Sequence, residues 1–284
     1  MKTIKINGLS IGETEPVRLM GVINLSPESF YEGSIKTGPG TILQTALRQV
    51  KEGADILDLG AKSTAPYLET EISTEEETKR ALKGLKIIRK EIDKPISIDT
   101  TRAKVAKAAL ENGADILNDV TGFHNDPEMA PLAAEFDVPV ILGATKINRF
   151  TGSPTERIIK ALEQSLKIAK EAGVKEERII VDPDIGFHRI KDYKWYKIDA
   201  HILTHLQAIN KAFEQPICIG LSRKSFIGKF LNLKEPEERL YGSLGATSLA
   251  VINGAKIIRT HDVSETREAI RVVEKIIEYG SEDE

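Results

Sequence analysis

Short apolar runs rich in β-branched residues alternate with longer helical patterns from Arg18 to the end of the chain. The runs are mostly apolar rather than alternating, which is typical of parallel strands covered on both faces of a sheet. Eight runs predict strands: Leu19–Leu25, Ile56–Gly60, Pro95–Asp99, Ile116–Val120, Pro139–Gly143, Ile179–Asp182, Pro216–Leu221 and Lys256–Thr260. Eight strand and helix units of about 35 residues predict a (β/α)8 TIM barrel.

Glycines mark the ends of three predicted helices. A similar phrase of glycine, alanine, a charged residue and two apolar residues occurs at Gly53–Leu57, Gly113–Leu117 and Gly254–Ile258. Glycine tolerates the left-handed backbone that ends a helix, so each phrase predicts a helix end followed at once by a strand. Two helix starts carry predicted capping boxes, Thr74 with Glu77 and Ser153 with Glu156.

The remaining organisation of the chain follows from its turn residues. No serine- or glycine-rich linker interrupts the alternation, so residues 1–284 are predicted to form one domain. Lys2–Gly12, centred on Asn7-Gly8, predicts a β-hairpin that closes the N-terminal end of the barrel. An open doubly wound sheet is the alternative fold, although no Gly-x-Gly-x-x-Gly turn follows the first strand.

Composition excludes several classes of protein. The 40 basic and 43 acidic side chains give a formal net charge of −3, which argues against a nucleic-acid partner. The chain has no apolar stretch long enough to serve as a signal peptide or to span a membrane, and we expect a cytoplasmic protein. Cys218 is the single cysteine, so no internal disulfide is possible, and it is predicted to be a small buried hydrophobic residue.

Polar residues stand where seven of the eight predicted strands end, which is where active sites lie in this fold. A single Asp or Asn there can cap a turn, but turn capping requires neither lysine nor arginine. The last two strands end in cationic residues that are predicted to face three aspartates across the mouth. These residues are Arg223, Lys224, Arg259 and His261 on one side, and Asp58, Asp99 and Asp182 on the other. The pattern predicts a phosphorylated or pyrophosphorylated substrate.

Two other interpretations of these residues remain open. Lys224 could form a Schiff base, which requires a lowered pKa, or could be a plain cation. The aspartates at the strand ends could hold a metal ion. A transition-metal site is disfavoured because His261 is the only histidine at a strand end, whereas magnesium shared with a phosphate suits carboxylates.

Motifs at the strand ends resemble those of dihydropteroate synthase, in order and about one per strand, from Arg18 to Lys275. They are Met20–Phe30, Gly53–Gly60, Ser97–Thr100, Asn118–Gly122, Asp182-Pro183, Ser222–Phe226 and Arg259–Val263. The resemblance implies a TIM barrel, a homodimer, and the condensation of 6-hydroxymethyl-7,8-dihydropterin pyrophosphate with an arylamine, with release of pyrophosphate.

The resemblance also implies roles for individual residues. The pterin would be held by Asp99, Asn118, Asp182 and Lys224. Arg259, His261 and Asn24 would act on the pyrophosphate, with Asn24 as a ligand of Mg²⁺. Two loops would close over the arylamine and exclude water, and the residues assigned to the arylamine side are Ser26, Pro27, Phe30, Lys62, Ser63, Thr64 and Lys146.

The chain departs from the family pattern mainly on the arylamine side. Ala65 follows Ser63-Thr64 where the family has arginine, Lys62 replaces an acidic residue, and Gly143–Lys146 replaces the Met-His after strand five. Asp184 and His188 stand where the family has glycines. We expect Lys62, Lys146 and Arg149 to add positive charge near the arylamine, which suits a larger phosphorylated amine such as the ribofuranosyl-aminobenzene phosphate of methanopterin biosynthesis. The 4-aminobenzoate of folate biosynthesis is the other arylamine that the resemblance allows.

Two alternative functions use the same pterin contacts. A pterin-dependent methyltransferase domain would pass a methyl group to a corrinoid partner and would not need the pyrophosphate end at Arg259 and His261. A non-catalytic pterin-binding paralogue would account for the altered loops. Corrinoid-dependent methyl transfer distinguishes the first of these, and tight pterin binding without pyrophosphate release distinguishes the second.

Overall fold

The structure, a computed structural model, describes residues 1–26, 38–62, 72–191 and 193–280. Eight parallel strands form a closed barrel in the order β10-β3-β4-β5-β6-β7-β8-β9. They are β3 (Arg18–Asn24), β4 (Ile56–Gly60), β5 (Ile96–Asp99), β6 (Ile116–Asp119), β7 (Val140–Gly143), β8 (Ile179–Asp182), β9 (Ile217–Gly220) and β10 (Ala255–Thr260). The predicted (β/α)8 barrel is confirmed, with each predicted strand displaced by at most one residue at either end.

Helices surround the barrel in the described part of the chain. They are α1 (Pro39–Glu52), α2 (Thr74–Ile88), α3 (Ala103–Glu111), α4 (Met129–Phe136), α5 (Pro154–Glu171), α6 (Trp195–Thr204), α7 (Leu206–Ala212), α8 (Ser225–Leu231), α9 (Leu240–Ile252) and α10 (Val263–Gly280). Their apolar faces pack on the outside of the strands, and Ile42, Leu85 and Ile158 are almost fully buried there. Within the residues that the structure describes, no helix combines the length and the apolar sequence needed to cross a lipid bilayer.

The predicted N-terminal hairpin is formed by β1 (Ile4–Ile6) and β2 (Leu9–Ile11), which pair antiparallel about Asn7-Gly8. Both turn residues have positive φ, 46° and 82°, as a tight two-residue hairpin requires. Its buried isoleucines form one apolar cluster with inward-facing residues near the beginnings of the barrel strands, among them Met20, Ile56 and Cys218. The hairpin therefore closes the N-terminal end of the barrel, and Cys218 is the buried apolar residue that the sequence predicts.

The helix boundaries confirm most of the local predictions. Gly53, Gly113 and Gly254 have φ of 108°, 97° and 101°, so each adopts the left-handed conformation between a helix and the strand that follows it. Ser153 and Glu156 form the predicted capping box at the start of α5.

The capping box predicted from Thr74 and Glu77 is wrong. The cap of α2 is Ser73, one residue earlier, whose side chain accepts a hydrogen bond from the backbone N–H of Glu76. Glu77 is buried and accepts hydrogen bonds from Thr100 Oγ1 (2.6 Å) and Arg102 Nη1 (2.9 Å), so tertiary contacts take its carboxylate away from the helix start.

Candidate active site

All four residues predicted to hold a pterin line one small cavity at the C-terminal mouth of the barrel. The cavity has a volume of about 40 Å³. Its lining includes Asp99 at the end of β5, Asn118 on β6, Asp182 at the end of β8 and Lys224 directly before α8. Arg259 on β10 lines the same cavity. Residues that are far apart in the sequence are thus brought together, because parallel strands end at the same edge of the barrel.

Arg259 forms ion pairs with two buried carboxylates. Its Nε lies 2.6 Å from Oδ2 of Asp58 and its Nη2 lies 3.0 Å from Oδ2 of Asp99. The sequence predicts that Arg259 faces the aspartates from the opposite side of the mouth. In the structure, Arg259 instead contacts two of these aspartates directly. Arg259 therefore reaches a ligand from an ion-paired position.

Asp58, one of the three aspartates predicted at the mouth, supports neighbouring site residues. It is fully buried on β4, and both carboxylate oxygens lie 3.4 Å from Nδ2 of Asn118 in addition to the contact with Arg259. Asp58 thus holds two cavity-lining side chains in place. An aspartate in the middle of an otherwise apolar strand is the sequence signal that points to such a role, because a buried charge requires a partner.

Burial raises the pKa values of the two carboxyl groups that face the cavity. The pKa of Asp99 rises to about 7, because burial and the charge of Asp58 outweigh the attraction of Arg259. The pKa of Asp182 rises to about 6, also through burial, although the backbone N–H of Asp184 and the charge of Lys224 oppose the rise. Strongly perturbed carboxyl groups in a cavity are typical of a functional site.

Lys224 lies against the loop that follows β8. Its Nζ is 4.4 Å from the centre of the Phe187 ring, in a cation–π contact. Gly186 has φ of 92°, and a Cβ there would approach Cδ of Lys224 to 2.9 Å, so the glycine leaves room for the lysine chain. Burial and Arg259 lower the pKa of Lys224, while the nearby carboxyl groups of the same region act to raise it.

The cationic side of the mouth carries less charge than the sequence predicts. Arg223 is buried and forms an ion pair with Asp262 (Nη2 to Oδ1, 2.7 Å), so it supports the loop rather than the ligand. Burial together with three neighbouring cations lowers the pKa of His261 to about 3, which makes its imidazole neutral near pH 7. The ring Nδ1 of His261 lies 3.0 Å from Oγ of Ser222.

Asp184 also lines the pterin cavity. Its backbone is left-handed, with φ of 53°, and its backbone N–H donates to Oδ1 of Asp182 at 2.8 Å. Its Oδ2 is buried without a hydrogen-bond partner in the described part of the chain, and burial and the charge of Asp182 raise its pKa well above the usual value. A Cβ at Gly143 would lie 2.3 Å from this Oδ2, so glycine is required opposite the carboxyl group.

Asp119 and His188 have structural contacts. Asp119 at the end of β6 accepts hydrogen bonds from the backbone N–H groups of Thr121 and Phe123, as expected of a turn-capping aspartate. His188 is buried with its Nε2 2.7 Å from the backbone carbonyl of Pro183, and burial lowers its pKa to about 4. His188 therefore fixes the loop that carries Asp184.

The residues assigned to magnesium and to the arylamine are only partly described. Pro27, Phe30, Ser63 and Thr64 lie outside the described residues. Asn24 is at the end of β3, next to Gly60: a Cβ added to this glycine would lie 3.5 Å from Oδ1 of Asn24. Ser26 is buried two residues after Asn24. The described residues contain no group of three or more His, Cys, Asp or Glu that could hold a metal ion by themselves. A single carboxamide oxygen fits Mg²⁺ whose other ligands come from a phosphate and water.

The two lysines assigned to the arylamine side lie apart around the barrel. Lys62 follows β4 and Lys146 follows β7, so β5 and β6 separate them. Lys146 is exposed with φ of 55°, and Arg149 lies 3.3 Å from Nε2 of His124. Burial and then the charges of Arg149 and Lys146 lower the pKa of His124, so both cations act on the loop that follows β6.

Comparisons with known proteins agree with this geometry. The model of the family described as pterin binding enzyme matches residues 20–261. The dihydropteroate synthase of Clostridium beijerinckii is 38% identical over 279 residues, which cover 96% of this chain and 99% of that protein. A dihydropteroate synthase from Coxiella burnetii in complex with pteroic acid superposes with a TM-score of 0.83 and 37% identity, covering 96% of this chain and 98% of the other. The enzyme of Xanthomonas albilineans with 4-aminobenzoic acid has a TM-score of 0.86 and 30% identity, covering 97% and 98%.

Proposed function

Because the chain belongs to the dihydropteroate synthase family of pterin-binding enzymes, we propose that it joins 6-hydroxymethyl-7,8-dihydropterin pyrophosphate to an arylamine at the cavity around Asp99, Asn118 and Lys224. The chain is a transferase of the kind that condenses a pterin with an aminobenzoate-type amine in folate biosynthesis. The observation that carries the assignment to this cavity is the convergence of two carboxyl groups, a carboxamide and a lysine on one cavity at the barrel mouth.

The pterin is held by complementary hydrogen bonds. A pterin presents an edge of amino and ring N–H donors, which Asp99, Asp182 and the carboxamide oxygen of Asn118 accept, and Lys224 donates to a ring acceptor. Each of these groups is at least half-buried, so leaving one without a partner would be costly and would exclude ligands that lack the matching edge.

The protein assists the reaction by stabilising the charge that develops on the leaving pyrophosphate. Arg259 carries a permanent charge at the cavity wall, and contact with pyrophosphate requires it to share its guanidinium between the ligand and its partners Asp58 and Asp99. His261 contributes as a neutral imidazole rather than as a cation. The amine nitrogen bonds to the exocyclic methylene carbon, the bond from this carbon to the pyrophosphate oxygen breaks, and the nitrogen loses one proton to solvent.

Magnesium is the cofactor that we propose for this site. Asn24 would hold it at the barrel mouth, and the ion, when bound, supplies positive charge to the pyrophosphate oxygens. Removal of Mg²⁺ by a chelator is expected to lower the rate of pyrophosphate release and to leave the binding of the pterin ring itself largely intact.

The arylamine is proposed to bind beside the pterin, near Ser26. The other assigned residues Pro27, Phe30, Ser63 and Thr64 lie outside the described part of the chain. Lys62 and Lys146 are proposed to favour an amine with a negatively charged extension. If the variants Lys62→Ala and Lys146→Ala leave the ratio of the Michaelis constants for a phosphorylated and an unphosphorylated arylamine unchanged, these lysines do not select the amine.

The decisive experiment is a measurement of pyrophosphate release. The protein is incubated with the pterin pyrophosphate, Mg²⁺ and either 4-aminobenzoate or its ribofuranosyl phosphate derivative. Release that depends on an amine supports the proposed reaction, and the amine that is used identifies the substrate. Release with neither amine would contradict the proposal. The variant Asp182→Asn is the control for the site, because it removes the charge of a proposed pterin contact and preserves its shape.

A homodimer is proposed for the assembled protein. Helices α9 and α10 pack against each other and carry large exposed apolar side chains: Leu249, Ile252, Val272, Ile276 and Tyr279. Val272, Ile276 and Tyr279 are spaced at i, i+4 and i+7, so they lie on one face of α10. An apolar surface of this kind on a protein in water favours burial against a second copy of the chain.

A further inference from the structure

A second and much larger cavity lies beside the mouth of the barrel, and its volume is about 840 Å³. It is bounded by the turn before α5, the loop between β8 and α6, the first turn of α6, and α8. Its lining residues are Asn148, Arg157, Arg189, Ile190, Lys191, Tyr193, Lys194, Trp195, Tyr196 and Lys229. None of them lines the pterin cavity, although both cavities border the loop that follows Asp182. The volume is within the range of about 300–1,000 Å³ of small-molecule sites.

The charge of this cavity is one-sided among the lining residues that the structure describes. Five of the ten lining residues are cations, and no carboxylate is among those that the structure describes. None of the five forms an ion pair within the described residues, whereas other surface cations do, such as Arg48 with Glu52 and Arg178 with Asp137. The whole chain has more acidic than basic residues. This cluster of cations without an ion-pair partner among the described residues therefore differs from the rest of the surface, and an anion would relieve their mutual repulsion.

Aromatic rings line the same cavity. The guanidinium carbon of Arg189 lies 5.2 Å from the centre of the Trp195 ring, and Nζ of Lys229 lies 6.0 Å from the centre of the Tyr196 ring. Tyr193 is 40% exposed. Rings of this type offer flat apolar faces on which a planar ligand ring can stack, next to cations that can bind phosphate oxygens.

Arg189 links this cavity to the pterin site. Its Nη1 donates hydrogen bonds to the backbone carbonyls of His188 (2.7 Å) and Gly186 (3.2 Å), and Gly186 lies against Lys224. The arginine is therefore oriented by the loop backbone, with its guanidinium fixed at the cavity wall.

We propose that this cavity is a second ligand site, distinct from the pterin cavity, for a phosphate ester of nucleotide size that carries an aromatic base. The phosphates bind the cations of Arg157, Arg189 and Lys229, and the base stacks on the rings of Trp195 and its neighbours. Tight binding requires both the phosphates and the aromatic base of the ligand, because the cavity combines cationic side chains with aromatic rings.

The chain provides its own reporter for this site, since Trp195 is the only tryptophan. Fluorescence excited at the tryptophan absorption edge is titrated with ATP, with tripolyphosphate, which has only the charge, and with adenosine, which has only the ring. We expect ATP to quench the emission to a saturating level, and added salt to weaken the binding of ATP. ATP is expected to bind at least about tenfold more tightly than tripolyphosphate or adenosine. Equal binding of tripolyphosphate and ATP would overturn the aromatic half of the proposal, and no saturable change with ATP would overturn it altogether.

Matched charge variants locate the ligand. The double variant Arg157→Gln/Lys229→Gln removes two cations from the cavity, and Lys170→Gln/Lys211→Gln removes two exposed cations from elsewhere on α5 and α7. We expect the first variant to bind ATP at least about tenfold more weakly than the unmodified protein, and the second to bind ATP with unchanged affinity. An equal loss in both variants would overturn the site. If the first variant does not fold, as judged by circular dichroism, the single variant Lys229→Gln, with Lys211→Gln as its control, carries the same test.

Discussion

The Nε of Arg259 donates a hydrogen bond of 2.6 Å to Oδ2 of Asp58, across the two barrel interfaces that join β10 to β3 and β3 to β4. Asp58 is fully buried, and Arg259 has a second carboxylate partner in Asp99. This arrangement places two carboxyl groups around one guanidinium group beside the pterin cavity. The positive charge of Arg259 is therefore already paired with carboxylates of the protein before a ligand binds.

Replacement of Asp58 by asparagine is expected to destabilise the fold. Asp58→Asn keeps the size of the side chain and removes the charge that pairs with Arg259, at a cost of about 2 kcal/mol in the free energy of unfolding. Chemical denaturation followed by circular dichroism measures it. The control is Glu52→Gln, which breaks a surface pair with Arg48 and is expected to cost less than about 1 kcal/mol. Equal effects of the two variants would show that the buried pair makes no special contribution.

The pH dependence of kcat/KM for the pterin substrate is expected to have an acidic limb. Asp99 and Asp182 have pKa values raised to about 7 and about 6, so both accept pterin N–H groups fully only above neutrality. We expect kcat/KM to rise from about pH 5 to about pH 8.

The variant Asp58→Asn separates this limb from ionisation of the substrate. The charge of Asp58 helps to raise the pKa of Asp99 and of Asp182, so its removal is expected to move the limb to lower pH while the substrate remains the same. Identical limbs in the variant and the unmodified protein would show that the limb does not come from these carboxyl groups.

Replacement of Asp184 by glycine is expected to stabilise the protein. Glycine adopts the left-handed backbone at φ of 53° without strain, and the change removes a buried carboxyl oxygen that lacks a hydrogen-bond partner among the described residues. We expect a gain of about 1–3 kcal/mol in the free energy of unfolding at pH 8.

This gain should depend on pH with a defined sign. Burial raises the folded-state pKa of Asp184, so the cost of its charge is absent below the unfolded pKa of about 4 and complete above the folded pKa. The difference between Asp184→Gly and the unmodified protein should therefore grow as the pH rises from about 4 to about 8. Thermal unfolding at several pH values measures it, and a variant that is less stable at pH 8 would contradict the argument.

His261 is expected to remain neutral across the physiological range, since burial and the charges of Arg259, Arg223 and Lys224 lower its pKa to about 3. Its ring nitrogen and carbon chemical shifts, measured by NMR between about pH 5 and about pH 9, should not titrate. The spectrum of His261→Gln identifies the signals. A titration of this ring near pH 6.5 would contradict the lowered pKa and show that the imidazole is charged in part of the physiological range.

The apolar face of α9 and α10 provides a test of the proposed homodimer. Ile252→Glu/Ile276→Glu places two charges on residues that are 59% and 66% exposed, so the folded protomer should tolerate them. We expect the mass in sedimentation to fall from that of a dimer to that of a single chain. Leu47→Glu on α1, where the leucine is 44% exposed, is the control. If the unmodified protein sediments as a single chain, the dimer proposal is wrong.

Local sequence patterns were sufficient for the strands, the glycine helix ends and the hairpin at Asn7-Gly8. Each of these depends on a few neighbouring residues, through backbone conformation and the spacing of apolar side chains. The rule that parallel strands of a barrel end at one mouth then placed Asp99, Asn118 and Asp182 near Lys224, and the structure confirms their convergence. The capping box at Thr74 failed for the opposite reason, because Glu77 bonds to Thr100 from a neighbouring unit.

The sequence by itself determined the barrel and the positions at which polar groups meet, and only the tertiary structure decided which of these groups pair and which carry a charge. Arg259 and Asp58 are 201 residues apart in the sequence, and no spacing rule could join them. Burial lowers the pKa of His261, so that its ring is neutral, and raises the pKa of Asp99. Arg223 forms an ion pair with Asp262. Desolvation and charge interactions depend on distances in three dimensions, so they appear only once the chain is folded.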